Sequence, residues 1–341
     1  MKRLTFLLSG EHPKIPSSEV IASIEAEECD YEVVESLDQV LTVDTHANPL
    51  RLASRLGMAH WVGENFGISS PEYLMDSLGS SDLLDFLPQS GDIAVRVKRI
   101  KRYLPEINEL KLAERVADEI LEEYDYDINL ENQENEIFIL LTEGKIVSTI
   151  VRAKIDRSAF VERKPPKRAA VHPGTMQPNF ARALVNLART PRNGTFLDPF
   201  CGVGGILLEA GLLGAIPVGI DIDSELIEGA EENLQVSGIN EFELRTGDAR
   251  DLEIEKVDAI ATDPPYGRQA STGGMELKDL YRDALPVLAD SLKSGGYFCI
   301  TAPSGLNLKK MAKNIPLEPI EKYQQRVHKS LIRKIYVFRR E

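Results

Sequence analysis

An acid, two prolines and an aromatic residue stand next to one another at Asp263, Pro264, Pro265 and Tyr266. Because proline has no backbone N–H, the proline carbonyls and the Asp263 carboxylate form a group of hydrogen-bond acceptors without competing donors. A fitting partner is an exocyclic amine on an aromatic base. Holding the hydrogens of that amine directs its lone pair toward an electrophile, and Tyr266 offers a stacking face for a flipped-out base. The simpler alternative is an ordinary turn.

A glycine-rich loop follows Asp198, with Gly202, Gly204 and Gly205 where a predicted strand gives way to a helix predicted to begin near Val203. Such a loop lets a ligand approach the backbone closely at the carboxyl end of the strand. Leu207 stands where the dinucleotide fingerprint has its third glycine, and an acid at the loop entrance would repel a pyrophosphate. The same acid would attract the ammonium group of S-adenosylmethionine, a sulfonium cofactor without phosphate. The alternative is a tight turn capped by Asp198.

Two more acids end the next two predicted strands, Asp221 in V-G-I-D-I-D and Asp248 in R-T-G-D-A-R. Asp221 is suited to accept both hydroxyls of a ribose, and Asp223 is the better N-cap for the following helix. Asp248 could accept from an adenine amine while Ala249 packs on the ring, although alone it is more typical of a turn. Together with Asp198 and Asp263, these acids follow successive parallel strands, where open α/β sheets bind ligands.

The segments that carry these acids alternate between helix and strand patterns. The patterns predict helices at 178–190, 203–214, 224–236 and 276–293, and strands at 194–198, 216–221, 241–246, 257–262 and 295–301. Such alternation predicts a parallel sheet with helices on both faces. A short helix near 306–313 precedes strands at 317–325 and 331–339. The connection between these two strands is too short for a parallel crossover, so we expect an antiparallel hairpin at one edge.

Two smaller units precede this alternating region. Residues 1–68 follow a β-α-β-β-α order with a further strand near 60–62, which is typical of a ferredoxin-like unit. Residues 69–160 contain a strand with Arg96 and Lys98 on one face, then an amphipathic helix and a hairpin around Glu143 and Gly144. Residues 161–177 form a basic linker that consecutive prolines stiffen.

The net charge of the 341-residue chain is −14, which taken alone argues against a nucleic-acid partner. Its distribution does not. Residues 151–200 and residues 301–341 each carry ten Lys and Arg against three Asp and Glu, whereas the rest of the chain carries 20 against 48. A polyanion responds to charge within about 8–10 Å, so these segments permit an RNA or DNA partner, or else are solvated surface. The candidate RNA-binding residues are Arg96, Lys98, Arg163, Lys164, Lys167 and Arg168.

The sequence indicates neither a metal site nor a membrane segment. The five histidines and three cysteines show no metal-ligand spacing and no disulfide framework, which favours a reducing cytosol. No apolar run approaches the length of a membrane span, and the apolar stretch at the amino terminus is too short for a signal peptide. We therefore expect a cytoplasmic protein that binds no metal.

The motifs L-D-P-F-C-G-V-G-G, G-I-D-I-D and T-D-P-P-Y-G-R, in this order, resemble those of class I, S-adenosylmethionine-dependent amino-methyltransferases. The longer segments H-P-G-T-M-Q-P-N-F-A-R-A-L-V-N-L-A-R and R-V-H-K-S-L-I-R-K-I-Y-V-F are similar to archaeal tRNA (guanine(10)-N2)-dimethyltransferases. The resemblance implies a Rossmann-like methyltransferase domain at 178–341. It also implies a ferredoxin-like domain at 1–68 and an RNA-binding THUMP domain at 69–160 before it.

The resemblance further implies that one guanosine of tRNA is methylated at N2, once and then twice. It implies an acceptor pocket at Asp263–Tyr266 and cofactor contacts from Asp198, Pro199, Phe200, Gly202, Gly204, Asp221, Ile222, Asp248 and Ala249. Three alternatives stand beside it. The same chemistry would suit another nucleotide, such as position 6 of tRNA, or DNA adenine or a protein amide. The others are a nicotinamide dehydrogenase and a non-catalytic RNA-binding protein.

Overall fold

The computed structural model describes residues 1–79, 85–88, 90–131, 133–265, 276–328 and 331–341. This part of the chain divides into two compact units. The first unit comprises Met1–Pro13, Cys29–Ser54 and Ala59–Ile155. The second unit comprises Lys14–Glu28, Arg55–Met58 and Asp156–Glu341.

The strands are β1 (Lys2–Leu8), β2 (Tyr31–Leu37), β3 (Val40–Thr45), β4 (Ala59–Ser69), β5 (Ser90–Arg99), β6 (Asp125–Ile128), β7 (Asn135–Thr142), β8 (Lys145–Lys154), β9 (Thr195–Asp198), β10 (Ile216–Asp221), β11 (Glu243–Thr246), β12 (Val257–Thr262), β13 (Leu292–Pro303), β14 (Leu317–His328) and β15 (Leu331–Arg340). The helices are α1 (Ile15–Ala26), α2 (Pro49–Arg55), α3 (Leu74–Gly79), α4 (Glu109–Glu123), α5 (Arg157–Glu162), α6 (Pro178–Leu187), α7 (Gly205–Leu212), α8 (Ser224–Val236), α9 (Leu277–Ser291) and α10 (Leu308–Met311). None of these helices, all from the described ranges, is long and apolar enough to cross a membrane.

The first unit is built on an eight-stranded sheet with the order β2-β3-β1-β4-β8-β7-β5-β6. β4 pairs with β1 on one side and with β8 on the other, so strands from 1–68 and from 69–160 share one sheet. The predicted hairpin is confirmed: Thr142 pairs with Lys145, and Glu143 and Gly144 between them have φ of 43° and 77°. Two positive φ values suit a turn that matches the twist of the strands. The division of this region into two domains stays a prediction.

The second unit is built on a seven-stranded sheet with the order β11-β10-β9-β12-β13-β15-β14. The first five strands run parallel, and β13, β15 and β14 pair antiparallel, which confirms the predicted edge hairpin. Both faces are buried. Ala259 and Ala261 of β12 belong to the core beneath α6 and α7, whereas Ile260 belongs to the core beneath α9. A parallel sheet covered on both faces is the architecture that the alternating pattern predicts.

Helix α1 belongs to the second unit, although it follows β1 in the chain. Its side chain Glu19 is fully buried and accepts hydrogen bonds from the backbone N–H of Gly57 at 2.7 Å, the backbone N–H of Met58 at 2.8 Å and the Asn186 amide at 2.8 Å. Burial raises the pKa of Glu19 to about 7, and these hydrogen bonds oppose the rise. The three donors satisfy a buried carboxyl group that would otherwise be costly.

Candidate active site

Four acids lie at one edge of the sheet in the second unit. Asp198 ends β9, Asp221 ends β10, Asp263 follows β12, and Asp248 follows β11 by two residues. Because these four strands are neighbours and parallel, their carboxyl ends share an edge, as predicted. The charges of Asp221 and Asp263 both raise the pKa of Asp198, so these three carboxyl groups are close enough to interact.

Asp198 is the most buried of the four, with 1% of its surface exposed. The Thr262 hydroxyl donates a hydrogen bond of 2.6 Å to its Oδ1, and the backbone N–H of Phe200 donates one of 3.2 Å to the same atom. Burial raises the pKa of Asp198 to about 7, against the lowering effect of these two hydrogen bonds. Near neutral pH, Asp198 is therefore poised between its two protonation states, and a bound cation would favour the ionised one.

The loop after Asp198 depends on two glycines with left-handed backbone conformations, Gly202 at φ 53° and Gly204 at φ 75°. The Asp221 carboxylate accepts from the N–H of Gly202 at 2.8 Å and from the N–H of Asp223 at 3.1 Å, which ties the loop to the end of β10. A Cβ at Gly204 would lie 3.2 Å from the Cβ of Ala230, whereas a Cβ at Gly202 would meet nothing within 4 Å. Gly204 therefore packs on α8, and Gly202 leaves open space over the loop.

Asp248 forms a local turn and an ion pair. Its Oδ1 accepts from the backbone N–H of Arg250 at 2.9 Å, and the Arg250 guanidinium pairs with both carboxylate oxygens. The hydrogen bond from the Arg250 side chain lowers the pKa of Asp248. Beside the neighbouring Asp221, Ile222 is 71% exposed, an unusual exposure for isoleucine, and it offers an apolar surface to a flat ring. Ala249 is buried.

The Asp263 carboxylate has partners on two other strands. The Thr301 hydroxyl from β13 donates a hydrogen bond to Oδ1, and Nη1 of Arg333 from β15 lies 3.4 Å from Oδ2. Pro264 is buried beside Phe200 and α9, and Pro265 is partly exposed. Tyr266 lies outside the described residues. Sequence reasoning missed Thr301 and Arg333 because strand pairing alone brings them to Asp263.

Two of the four linker cations face the protein interior, against the expectation that they contact RNA. Arg163 donates to both carboxylate oxygens of the fully buried Glu209, at 2.9 and 3.2 Å, and stacks on the Phe160 ring. Arg168 donates through Nε to the Arg163 carbonyl at 2.8 Å. Its Nη1 and Nη2 are buried without a hydrogen-bond partner among the described residues, and Nη1 would lie 2.9 Å from a Cβ at Gly205. Burial lowers the pKa of Arg168.

The other predicted RNA contacts are surface residues, and their side chains differ in the partners that hold them. Lys98 and Lys164 are exposed. Lys167 forms an exposed ion pair with Glu162 at 2.8 Å, which contributes little to stability and is easily exchanged for another anion. Arg96 is held by two partners, the Glu136 carboxylate at 2.5 Å and a backbone carbonyl at 2.8 Å.

The residues around the glycine loop fit S-adenosylmethionine. An acid with a raised pKa suits the ammonium group, and the unpartnered guanidinium nitrogens of Arg168 beside Gly205 suit the carboxylate at the same end of the cofactor. The space over Gly202 and the exposed Ile222 suit the adenosyl part. Asp198 ends β9, Ile222 follows β10, Gly202 lies in the loop between β9 and α7, and Nη1 of Arg168 lies beside Gly205, the first residue of α7.

Comparison with known proteins identifies the class. Residues 165–335 match the family described as UPF0020, RMKL-like, methyltransferase domain. The TrmN structure from Thermus thermophilus has the same fold, with a TM-score of 0.52 and 19% identity over 99% of this chain and 100% of that one. The second unit thus contains the methyltransferase domain that its sheet edge and glycine loop indicate.

The family within that class follows from two relatives that match along almost the whole chain. This chain is 37% identical over 336 residues to the tRNA (guanine(10)-N2)-dimethyltransferase of Methanothermobacter thermautotrophicus, covering 98% of each. It is 30% identical to the enzyme of that name from Methanocaldococcus jannaschii, covering 98% of this chain and 99% of the relative. The chain belongs to the family of tRNA (guanine(10)-N2)-dimethyltransferases.

Proposed function

We propose that this chain transfers methyl groups from S-adenosylmethionine to the exocyclic N2 amine of a guanosine in tRNA, at nucleotide 10. The products are N2-methylguanosine and then N2,N2-dimethylguanosine. The observation that carries the proposal is the placement of Asp263 and Pro264 at the sheet edge that also holds Asp198 and Asp221. Family membership supports the choice of base and nucleotide, because the names of both full-length relatives state them.

Cofactor binding is assigned to the loops after β9, β10 and β11. When bound, S-adenosylmethionine supplies a methyl group made electrophilic by the adjacent sulfonium. Asp198 accepts from the ammonium group, and Asp221, which still has lone pairs on both oxygens, accepts from the ribose hydroxyls. The proposed cofactor set comprises Asp198, Pro199, Phe200, Gly202, Gly204, Asp221, Ile222, Asp248 and Ala249.

Arg168 joins this set in place of its assignment to RNA. A guanidinium with two buried nitrogens that lack partners is costly to leave as it is, and a carboxylate is the partner that matches its fork. S-adenosylmethionine carries one carboxylate, on the carbon that also bears the ammonium group assigned to Asp198. Arg168 therefore holds the methionyl carboxylate at the start of α7.

The acceptor chemistry is assigned to Asp263 and the residues after it. The Asp263 carboxylate and the Pro264 carbonyl accept the hydrogens of the guanine amine, whose lone pair is then available to the methyl group. The amine loses one proton for each methyl group it gains, and Asp263 is the nearest acceptor for that proton. Pro265 keeps the segment rigid, and Tyr266 stacks on the base.

Binding of tRNA is assigned to the THUMP domain at residues 69–160 and to the exposed lysines Lys98, Lys164 and Lys167. Exposed lysines interact with phosphates as mobile point charges, which favours affinity over base specificity. Arg96 contributes if RNA displaces Glu136, whereas Arg163 is committed to Glu209. From a tRNA substrate we infer a cytoplasmic protein.

The proposal is tested with purified chain, unmodified tRNA transcript and tritium-labelled S-adenosylmethionine. We expect label in tRNA and none in duplex DNA or protein, and mass spectrometry of nucleosides should show both methylated guanosines. A transcript with adenosine at nucleotide 10 should take up no label. Label that persists in that transcript would move the site to another nucleotide, such as position 6, and label in DNA or protein would overturn the choice of tRNA.

The Asp263→Ala variant tests the acceptor assignment. It should abolish methyl transfer while affinity for S-adenosylhomocysteine stays within a few-fold of wild type. Asp279→Ala, which removes an acid paired with Arg282 on the surface of α9, is the matched control and should keep both methyl transfer and cofactor affinity. Equal loss of transfer and of cofactor affinity in Asp263→Ala would assign Asp263 to the cofactor pocket instead.

A further inference from the structure

The Asp263 carboxylate is held by groups from two strands that sequence analysis did not connect with it. Its Oδ1 accepts from Thr301 of β13, which is fully buried, and Arg333 of β15 approaches Oδ2 at 3.4 Å. β13 and β15 are antiparallel neighbours, and the residue opposite Arg333 is Pro303, two positions after Thr301. Both partners therefore stand on the rigid part of the sheet.

The Arg333 side chain has little freedom of its own. It is 9% exposed, and its guanidinium carbon lies 5.6 Å from the centre of the Phe180 ring on α6. A guanidinium that stacks on an aromatic face is fixed in its plane and keeps its charge at every accessible pH. Arg333 is therefore built into the site and is unlike a mobile surface cation.

The Arg333 guanidinium lies beside a group of acids whose negative charge it offsets. Asp198 on β9 faces Asp263 closely enough for the Asp263 charge to raise the pKa of Asp198, and Asp221 on β10 adds a third acid. Arg333 forms an ion pair with Asp263. Its guanidinium therefore offsets part of the negative charge that the three acids bring together.

We propose that Arg333 is a positioning residue for methyl transfer, which with Thr301 fixes the orientation of the Asp263 carboxylate toward the acceptor amine. This inference rests on the proposed function, because it concerns the same acceptor group. A rotated Asp263 carboxylate would offer the amine a poorer acceptor, so Arg333 acts on the rate through Asp263 and makes no contact with the base.

The test is the single-turnover rate of methyl transfer, with tRNA and S-adenosylmethionine both saturating, together with the dissociation constants of both ligands. We expect Arg333→Met to lower the rate at pH 7 by roughly 10- to 100-fold while both dissociation constants stay near wild type. Arg333→Lys keeps the charge beside Asp263 and should recover part of the lost rate. Arg339→Met, which removes an exposed arginine from the same strand, should leave the rate unchanged.

Affinity for tRNA separates this role from a phosphate contact. In Arg333→Met, the tRNA dissociation constant and its salt dependence should match wild type. A wild-type rate combined with weaker, less salt-dependent tRNA binding would overturn the inference and make Arg333 a phosphate ligand. If Arg333→Met does not fold, Thr301→Val tests the same point. Thr301→Val should lower the rate, Thr301→Ser should restore it, and a wild-type rate in Thr301→Val would overturn the inference.

These outcomes are distinct from failure of the proposed function. A wild-type chain that does not methylate tRNA overturns the proposed function and this inference with it. If the wild-type chain methylates tRNA and Arg333→Met has the wild-type rate and tRNA affinity, this inference alone is overturned.

Discussion

The Thr262 hydroxyl donates a hydrogen bond of 2.6 Å to Oδ1 of Asp198, across the two parallel strands β12 and β9. This contact links the acid assigned to the cofactor with the strand that leads into the acceptor residues. It also acts on the charge of Asp198, because a donor to the carboxylate lowers the pKa that burial raises to about 7. Two predictions about cofactor binding follow from this pair and from Arg168.

Affinity for S-adenosylhomocysteine should depend on the protonation of Asp198. Below a pH of about 7 the carboxyl group is neutral in the free protein, so binding the ammonium group requires loss of a proton. The dissociation constant should therefore rise as pH falls below about 7, approaching tenfold per unit, and should level off above it. Calorimetric titration from pH 5.5 to 9 measures this. Thr262→Val should move the bend to higher pH, and Thr262→Ser should leave it near wild type.

A ligand without the ammonium group is the control for this dependence. Affinity for 5′-methylthioadenosine, which lacks the whole amino-acid part, should show no bend near pH 7. The same bend for both ligands would mean that another group titrates, and that Asp198 does not meet the ammonium group.

Arg168→Met should weaken S-adenosylhomocysteine binding by about 1.5–3 kcal/mol, or roughly 10- to 150-fold, because a charged hydrogen bond to the carboxylate is lost. Binding of 5′-methylthioadenosine should be unaffected, since it has no carboxylate. Lys164→Met removes an exposed cation from the same linker and should change neither affinity. Equal weakening of both ligands by Arg168→Met would show that Arg168 supports the fold of the loop instead.

The two left-handed glycines should respond differently to alanine. Gly204→Ala places a Cβ against Ala230 at φ 75°, so it should cost about 1–2 kcal/mol of stability, seen as a lower midpoint of thermal unfolding. Gly202→Ala meets no protein atom, but its Cβ enters the open space assigned to the cofactor. It should therefore lose more affinity for S-adenosylhomocysteine than stability. A larger loss of stability than of cofactor affinity in Gly202→Ala would mean that the ligand binds elsewhere.

The sheet of the second unit was predictable because its signals are local. Asp198, Asp221 and Asp263 each follow a short, mostly apolar run, and parallel strands bring their ends together without further information. The cap of α8 is local as well: Asp223 accepts from the N–H of Glu225 at 2.9 Å, as predicted. The predicted helix ends were less accurate, because α7 begins at Gly205, whereas the pattern predicts a start at residue 203.

The partners of the acids were not predictable, because they come from distant parts of the chain. Arg333 and Asp263 are 70 residues apart, and Arg163 and Glu209 are 46 apart. A cation in a basic segment has the same local pattern whether it faces phosphate or a buried carboxylate. β6 was missed for a related reason: the alternation of D-Y-D-I spans only four residues directly after a helix, and pairing with β5 makes it a strand.

Glu209 should be essential to the stability of the second unit. It is fully buried and pairs with Arg163 at 2.9 Å and with Arg182 at 2.8 Å. Glu209→Gln leaves these guanidinium groups without their anion, which should cost about 3–5 kcal/mol in urea unfolding. Glu162→Gln, which breaks the exposed pair with Lys167, should change stability little. A small effect of Glu209→Gln would mean that water or a bound anion already compensates these cations.

The exposed linker lysines should carry the electrostatic part of tRNA binding from this segment. Lys164→Ala combined with Lys167→Ala should weaken tRNA binding and reduce the slope of log K against log salt by up to about one per phosphate contact. The matched control replaces Lys256 and Lys278, two exposed lysines outside the linker, and should leave the slope unchanged. Because Arg163 and Arg168 face the interior, leaving them intact separates RNA binding from stability. An unchanged slope in the linker variant would make these lysines ordinary surface and place the tRNA backbone on other cations.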